Sequence, residues 1–175
     1  MSTAVDRRPT SGEYAPYYDR YISQVASGDI AAELAAQLEV TIVLLRGIPE
    51  SKAGFRYAPD KWSVRELLGH VIDSERVFAY RALRFARGDK TPLAGFDQDP
   101  YVTEGNFESL SLDELISEFE HVRRSTISFF SHLKEDAWGR TGQANAVEVS
   151  VRALAFIIAG HELHHMDVLR SKYLA

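Results

Sequence analysis

Four stretches of this chain repeat apolar residues in steps of three and four, each bounded by glycine, proline or a capping residue. A segment patterned in that way presents one apolar stripe as a helix, and it buries that stripe by packing against other helices. The first stripe runs through Ile30, Leu34, Leu38, Thr41/Ile42 and Leu45 and stops before Pro49. The second opens at Ser63, which has capping-box spacing with Glu66. It carries Val64, Leu67, Leu68, Val71, Phe78, Ala82 and Phe85 and ends at Gly88. Another capping-box pair, Ser111 and Glu114, opens the third, with Leu112, Leu115, Phe119, Val122, Thr126, Phe129 and Leu133. The last starts near Ser150 and reads Val151, Leu154, Ile158, His161, His165 and Val168, with two histidines where a bundle wants leucine. There is no strand alternation beyond the short VEVS stretch and no fixed-period repeat, so the pattern predicts an all-α four-helix bundle.

The chain has 175 residues and no break in composition, which fits one domain over residues 14–175. Residues 1–13 are polar, carry Pro9 and Gly12, and read as a flexible arm; the cluster Tyr14, Tyr17, Tyr18 and Tyr21 is expected to pack on the bundle. Residues 88–110 hold three glycines and two prolines and read as a long connection, a feature often functional in compact domains. Cysteine is absent, so any transition metal must be held by imidazole and carboxylate, and no cysteine nucleophile exists. The first residues lack an apolar h-region and no run of 18 apolar residues occurs; the expectation is a cytoplasmic protein without a membrane partner. Net charge is −5 with Lys and Arg scattered among acids, which argues against a nucleic-acid partner.

His161 and His165 are four residues apart, so on a helix their side chains point within about 40° of each other, one turn apart. A lone buried imidazole is most simply a hydrogen-bonded core residue. Two on one core seam favour a shared ion, because an apolar core welcomes neither. The same segment matches H-E-x-x-H, in which Glu162 would be the general base of a metalloprotease. Only ten residues follow His165, with Asp167 as their single acid and no histidine, so the protease reading fails on ligand count. Glu162 and His164 flank the pair by about 80° on either side and are either helpers or surface. A third ligand must come from another helix, and of His70, His121 and His132 the best placed is His70, at the edge of the second stripe beside Leu67 and Ser74. Three histidines leave coordination positions open, as in catalytic sites.

Three segments then resemble one family: WSVRELLGHVIDSER from Trp62 to Arg76, GFDQDPYV from Gly95 to Val102, and IAGHELHH from Ile158 to His165. Together they resemble the DinB-like superfamily, with a match in kind from about residue 30 to residue 172. The resemblance implies a four-helix bundle of up-down-down-up connectivity, commonly a homodimer, binding one divalent metal ion through His70, His161 and His165. It also implies either a metal-dependent hydrolase or a transferase of a low-molecular-weight thiol such as bacillithiol, mycothiol or glutathione. Zinc or nickel is the first expectation for the ion, with iron and manganese also compatible with imidazole. Such an ion activates a water or a thiol.

Weaker catalytic candidates are Glu66 and Ser74, each about 40° from His70 on the helical wheel, together with Asp73, Glu162 and His164. Glu66 already has a role in the capping box, and Asp73 and Glu75 read equally as surface charges or as orienters. Asp97, Asp99 and Tyr101 in the long connection stand ready to cover the site, although Asp and Pro are first of all turn formers. The rival expectation is a non-catalytic metal-binding module of the stress-response or interaction kind, in which the ion supports folding.

Overall fold

A computed structural model describes residues 8–175. Its long helices are α2 (Ile30–Arg46), α3 (Val64–Ala86), α5 (Leu112–Ser131) and α6 (Val151–Val168), with short α1 (Asp19–Ile22) before them and α4 (Gln98–Glu104) inside the long connection. Each long helix begins where its sequence supplies a cap. Asp29 accepts from the amides of Ala31 and Ala32, both capping boxes are formed, and Ser150 accepts from the amide of Ala153. These side chains satisfy amides that would otherwise lack partners in the first turn.

The bundle packs α3 against α5 and α6, and α2 against α5 and α6, so consecutive helices α2 and α3 lie across the diagonal. Residues 87–111 carry the chain back to its starting end, so α3 and α5 run parallel. Arg65 pairs with Glu108 near one end of α3, and the Arg87 guanidinium lies over Phe129 just beyond the other. The order is up-down-down-up, as expected.

Two apolar clusters fill the interior. One centres on Phe85, Phe130, Trp138 and Phe156, and the other on Leu67, Leu68, Leu115 and Phe119. Between them α3 carries His70, Ser74 and Glu75, and α6 carries His161 and Glu162, all buried. Burial along α5 follows Leu115, Phe119, Arg123, Thr126 and Phe130. The expected stripe through Val122 and Phe129 is thus rotated by one residue, because Arg123 occupies a core position.

The VEVS stretch is half of a hairpin. β1 (Thr141–Ala144) pairs antiparallel with β2 (Val147–Ser150), and Asn145 and Ala146 turn between them with φ of 53° and 60°. Left-handed backbone at both turn positions suits a two-residue hairpin, but alanine there hides the signal that Asn-Gly would give.

Of the flexible arm expected over 1–13, residues 1–7 lie outside the described residues. From residue 8 the chain is tied down: Arg8 donates to the carbonyls of Ile22 and Val25, and Glu13 pairs with Arg152 and accepts from Ser150. Among the described residues, no helix is long and apolar enough to cross a membrane.

Gly160 of α6 meets the backbone of Tyr21 so closely that a Cβ would collide with the Tyr21 carbonyl. On an open helix face Gly→Ala would gain about 1 kcal/mol of stability. Gly160→Ala is instead expected to lower the urea unfolding free energy by about 1–3 kcal/mol, the range for overpacking, through displacement of α1. A stabilised variant would show that α1 does not sit on α6.

Candidate metal centre

α3 and α6 run antiparallel and bring His70 opposite the His161–His165 pair. The Nε2 of His161 lies 3.1 Å from Nε2 of His70 and 3.1 Å from Nε2 of His165. One nitrogen of each ring lies within 4.8 Å of the others. Nδ1 of His70 faces the Ser74 hydroxyl at 3.5 Å, and Nδ1 of His165 is buried with no hydrogen-bond partner among the described residues. Aromatic walls fix the rings: Trp62 lies 4.7 Å from His70 between ring centres, and Tyr21 of α1 stands edge-on to His161 at 5.3 Å.

Burial holds all three imidazoles uncharged. Desolvation pulls His70 down to about 4, and desolvation together with the neighbouring His70 pulls His165 down to about 2. His161 lies well below the ordinary range for the same reason, with His165 and His70 adding to the effect. Neutral imidazole is the form that binds a metal. A tetrahedral ion with bonds of about 2.0–2.1 Å sets nitrogen pairs about 3.3 Å apart, so the observed spacing fits such a donor set.

The convergence opens into a cavity of about 580 Å³. His70, His161 and Ser74 line it together with Tyr18, Tyr21 and Phe78, with Phe96, Asp97, Gln98 and Asp99 from the long connection, and with Asn145 at the hairpin tip. A volume of this size suits a small molecule.

The other candidates separate cleanly. Ser74 is brought to the site. Glu66 is consumed by its capping box and by Arg56. Asp73 pairs with Arg76 at 3.3 Å, and burial raises its carboxyl above the usual range. Glu162 turns away from the histidines: it pairs with Arg123 and accepts from Thr41. Glu75 completes that network, 2.8 Å from Arg123, so two carboxylates flank one guanidinium at 0% exposure. His164 is half-buried at the edge, its ring 5.5 Å from that of Tyr21. His121 and His132 are exposed on α5 or its end, away from the cluster. Asp97 caps α4, the turn-forming role expected of it, and also lines the cavity beside Asp99. Tyr101 packs on Phe96 at 5.2 Å. Sequence reasoning missed Asn145, whose hairpin was hidden, and Arg123, whose charge disguised a core position.

A family model of the DinB superfamily matches residues 33–169. A protein of Oceanobacillus iheyensis provisionally named a metal-dependent hydrolase is 27% identical over 113 residues, which cover 63% of this chain and 64% of that protein. The match thus spans less than two thirds of that relative's length. Among solved structures, YfiT from Bacillus subtilis, provisionally described as a metal-dependent hydrolase with an unusual four-helix bundle topology, is similar with TM-score 0.67 at 14% identity. That likeness covers 94% of this chain and 93% of YfiT. The mycothiol-dependent maleylpyruvate isomerase is similar with TM-score 0.65 at 16% identity, over 95% of this chain and 63% of the isomerase. The DinB-like YjoA of Bacillus subtilis has TM-score 0.58 at 21% identity, over 81% of this chain and 86% of YjoA. At these identities the structural likenesses speak to the fold.

The buried rings make a pH signature. His70 titrates near 6.5 when unfolded and near 4 when folded, so between those values the unfolded chain binds more protons and stability rises with pH. Metal-free protein is therefore expected to lose stability from pH 7 to pH 5 in urea titrations. In His70→Gln the slope should be shallower by about 1 kcal/mol per pH unit. Equal slopes would mean that the ring is not held neutral by burial.

Proposed function

The chain belongs to the DinB superfamily, and on that premise we propose that it holds one divalent cation, zinc or nickel, between His70, His161 and His165. We infer that it uses this cation to hydrolyse a small molecule or to transfer a low-molecular-weight thiol to an electrophile. The observation that carries this reading is the convergence of three neutral imidazole nitrogens in the wall of a cavity large enough for a substrate. When bound, the cation supplies Lewis acidity that acidifies a water or thiol at an open coordination position.

The chain's own residues do the rest. With a cation on Nε2, the His70 proton would sit on Nδ1, which faces the Ser74 hydroxyl at 3.5 Å and makes Ser74 an orienter of the ring. Tyr21 and Phe78 pack against His161 and limit how it can turn. Phe96 and the acidic turn at Asp97 line the same cavity as His70 and His161, where a bound substrate would meet them. The names of the Oceanobacillus relative and YfiT support metal-dependent hydrolysis, and that of the mycothiol-dependent isomerase supports the use of a low-molecular-weight thiol on this fold. A small-molecule thiol partner, a homodimeric assembly and a cytoplasmic setting belong to the same reading.

The catalytic reading is preferred to a structural ion because the bundle has its own support on both sides of the histidines. Two apolar clusters and the Glu75–Arg123–Glu162 network are built from other side chains and touch the rings at Phe78 and Trp62. Chelation is accordingly expected to leave a folded helical protein with no turnover, whereas a structural ion would let the protein unfold on removal. His161→Ala should lose both the metal, measured by elemental mass spectrometry on untagged protein, and activity in a screen of thiol–electrophile pairs run beside ester and amide hydrolysis. Retained turnover without metal would refute the proposal.

A further inference from the structure

α3 places His70, Ser74, Phe78 and Arg81 on one face, at offsets of four, eight and eleven residues. At 100° and 1.5 Å per residue, Arg81 points within about 20° of His70 and lies about 16 Å farther along the axis. Its side chain is buried, at 4% exposure. One Nη donates to the carbonyl of Ala94 at 3.0 Å, the guanidinium also hydrogen-bonds the Tyr18 hydroxyl, and the rings of Phe78 and Phe96 lie 5.8 and 5.7 Å from the guanidinium carbon. Among the described residues no carboxylate pairs with it. Arg123, the other buried arginine, holds two.

A buried cation without an anion is costly, and a guanidinium fork matches an oxyanion in geometry. Arg81 also lines a second cavity, of about 390 Å³, with Tyr80, Gly95 and Tyr101. Phe96 is common to the walls of this cavity and of the one containing His70 and His161. The other cation of the second cavity, Arg76, is already paired with Asp73 at 3.3 Å and Glu118 at 2.7 Å. One positive charge held only by neutral acceptors fits a carboxylate better than a phosphate dianion.

We propose that Arg81 is the anion-binding end of a two-part substrate site, pairing with a carboxylate of the small molecule whose reacting atom lies at the three histidines. The substrate class is then an acid whose carboxylate is well separated from the reacting atom, by up to about 16 Å, the rise between the two residues along the helix. The reacting end rests on the function proposed above; binding of the anion at Arg81 does not.

The test titrates isotopically labelled, metal-loaded protein with succinate at constant ionic strength, with chloride and inorganic phosphate as comparisons. The Arg81 Nε–H resonance, assigned by its absence in Arg81→Lys, is expected to shift saturably with succinate. Calorimetry should show the succinate Kd raised about tenfold or more in Arg81→Gln, the loss of one charge-assisted pair. If Arg81→Gln fails to fold, the wild-type titration still decides. No saturable shift with succinate, a shift matched by chloride, or saturation by phosphate alone would overturn the proposal. Repeating the titration on His161→Ala separates the two ideas. Succinate should still bind there, and its loss would place the anion on the metal and not on Arg81. Wild-type protein that takes up no metal yet binds succinate would refute the proposed function and leave the Arg81 site standing.

Discussion

Three neutral imidazoles meet inside this bundle, and they cannot satisfy one another. Each neutral ring has one N–H and one acceptor nitrogen. The Nε2 of His161 faces two other Nε2 atoms at 3.1 Å, and its single lone pair or single proton can serve only some of these contacts well. Protonation offers no escape, because burial drives all three rings toward the uncharged form. A cation at the common point would accept a lone pair from every ring. The rest of the structure reads as the means of holding that arrangement in a core that would otherwise be filled with leucine.

The means are distributed over the whole chain. Antiparallel packing of α3 on α6 sets His70 against the turn that carries His161 and His165. The parallel run of α3 and α5 requires the long crossover 87–111, and that crossover supplies Phe96, Asp97 and Asp99 to the cavity wall. Tyr21 seats against α6 only because Gly160 leaves room for its backbone. Behind the histidines, the Glu75–Arg123–Glu162 network ties α3, α5 and α6 at the same level. Burial alone would make Arg123 easier to deprotonate, but the two carboxylates outweigh it and keep it charged. The polar layer is therefore two connected problems, a set of neutral lone pairs and a set of paired charges, solved side by side between two apolar clusters.

Much of this was legible in the sequence. Helix starts were readable because Ser63 with Glu66 and Ser111 with Glu114 are local devices that work through their own backbone. The His161–His165 pair was readable from a spacing of four, and His70 from its place beside a stripe. What stayed hidden depended on contacts between distant segments. Arg123 looks like a surface residue until Glu75 and Glu162 arrive from two other helices. The hairpin lacked its usual glycine at Ala146, so Asn145 could not be placed at the cavity. Arg81 shares the face of His70 by arithmetic, yet its want of a carboxylate is visible only once its neighbours Ala94, Phe78 and Phe96 are in place.

The central claim is that one ion is shared by three rings from two helices. X-ray absorption on protein purified without a histidine tag measures this directly through the nearest-neighbour shell of the ion. The account predicts three imidazole nitrogens at about 2.0–2.1 Å, with any further light-atom ligand coming from solvent or substrate. A shell without imidazole scattering, or one unchanged when His70 is replaced by glutamine, would contradict it.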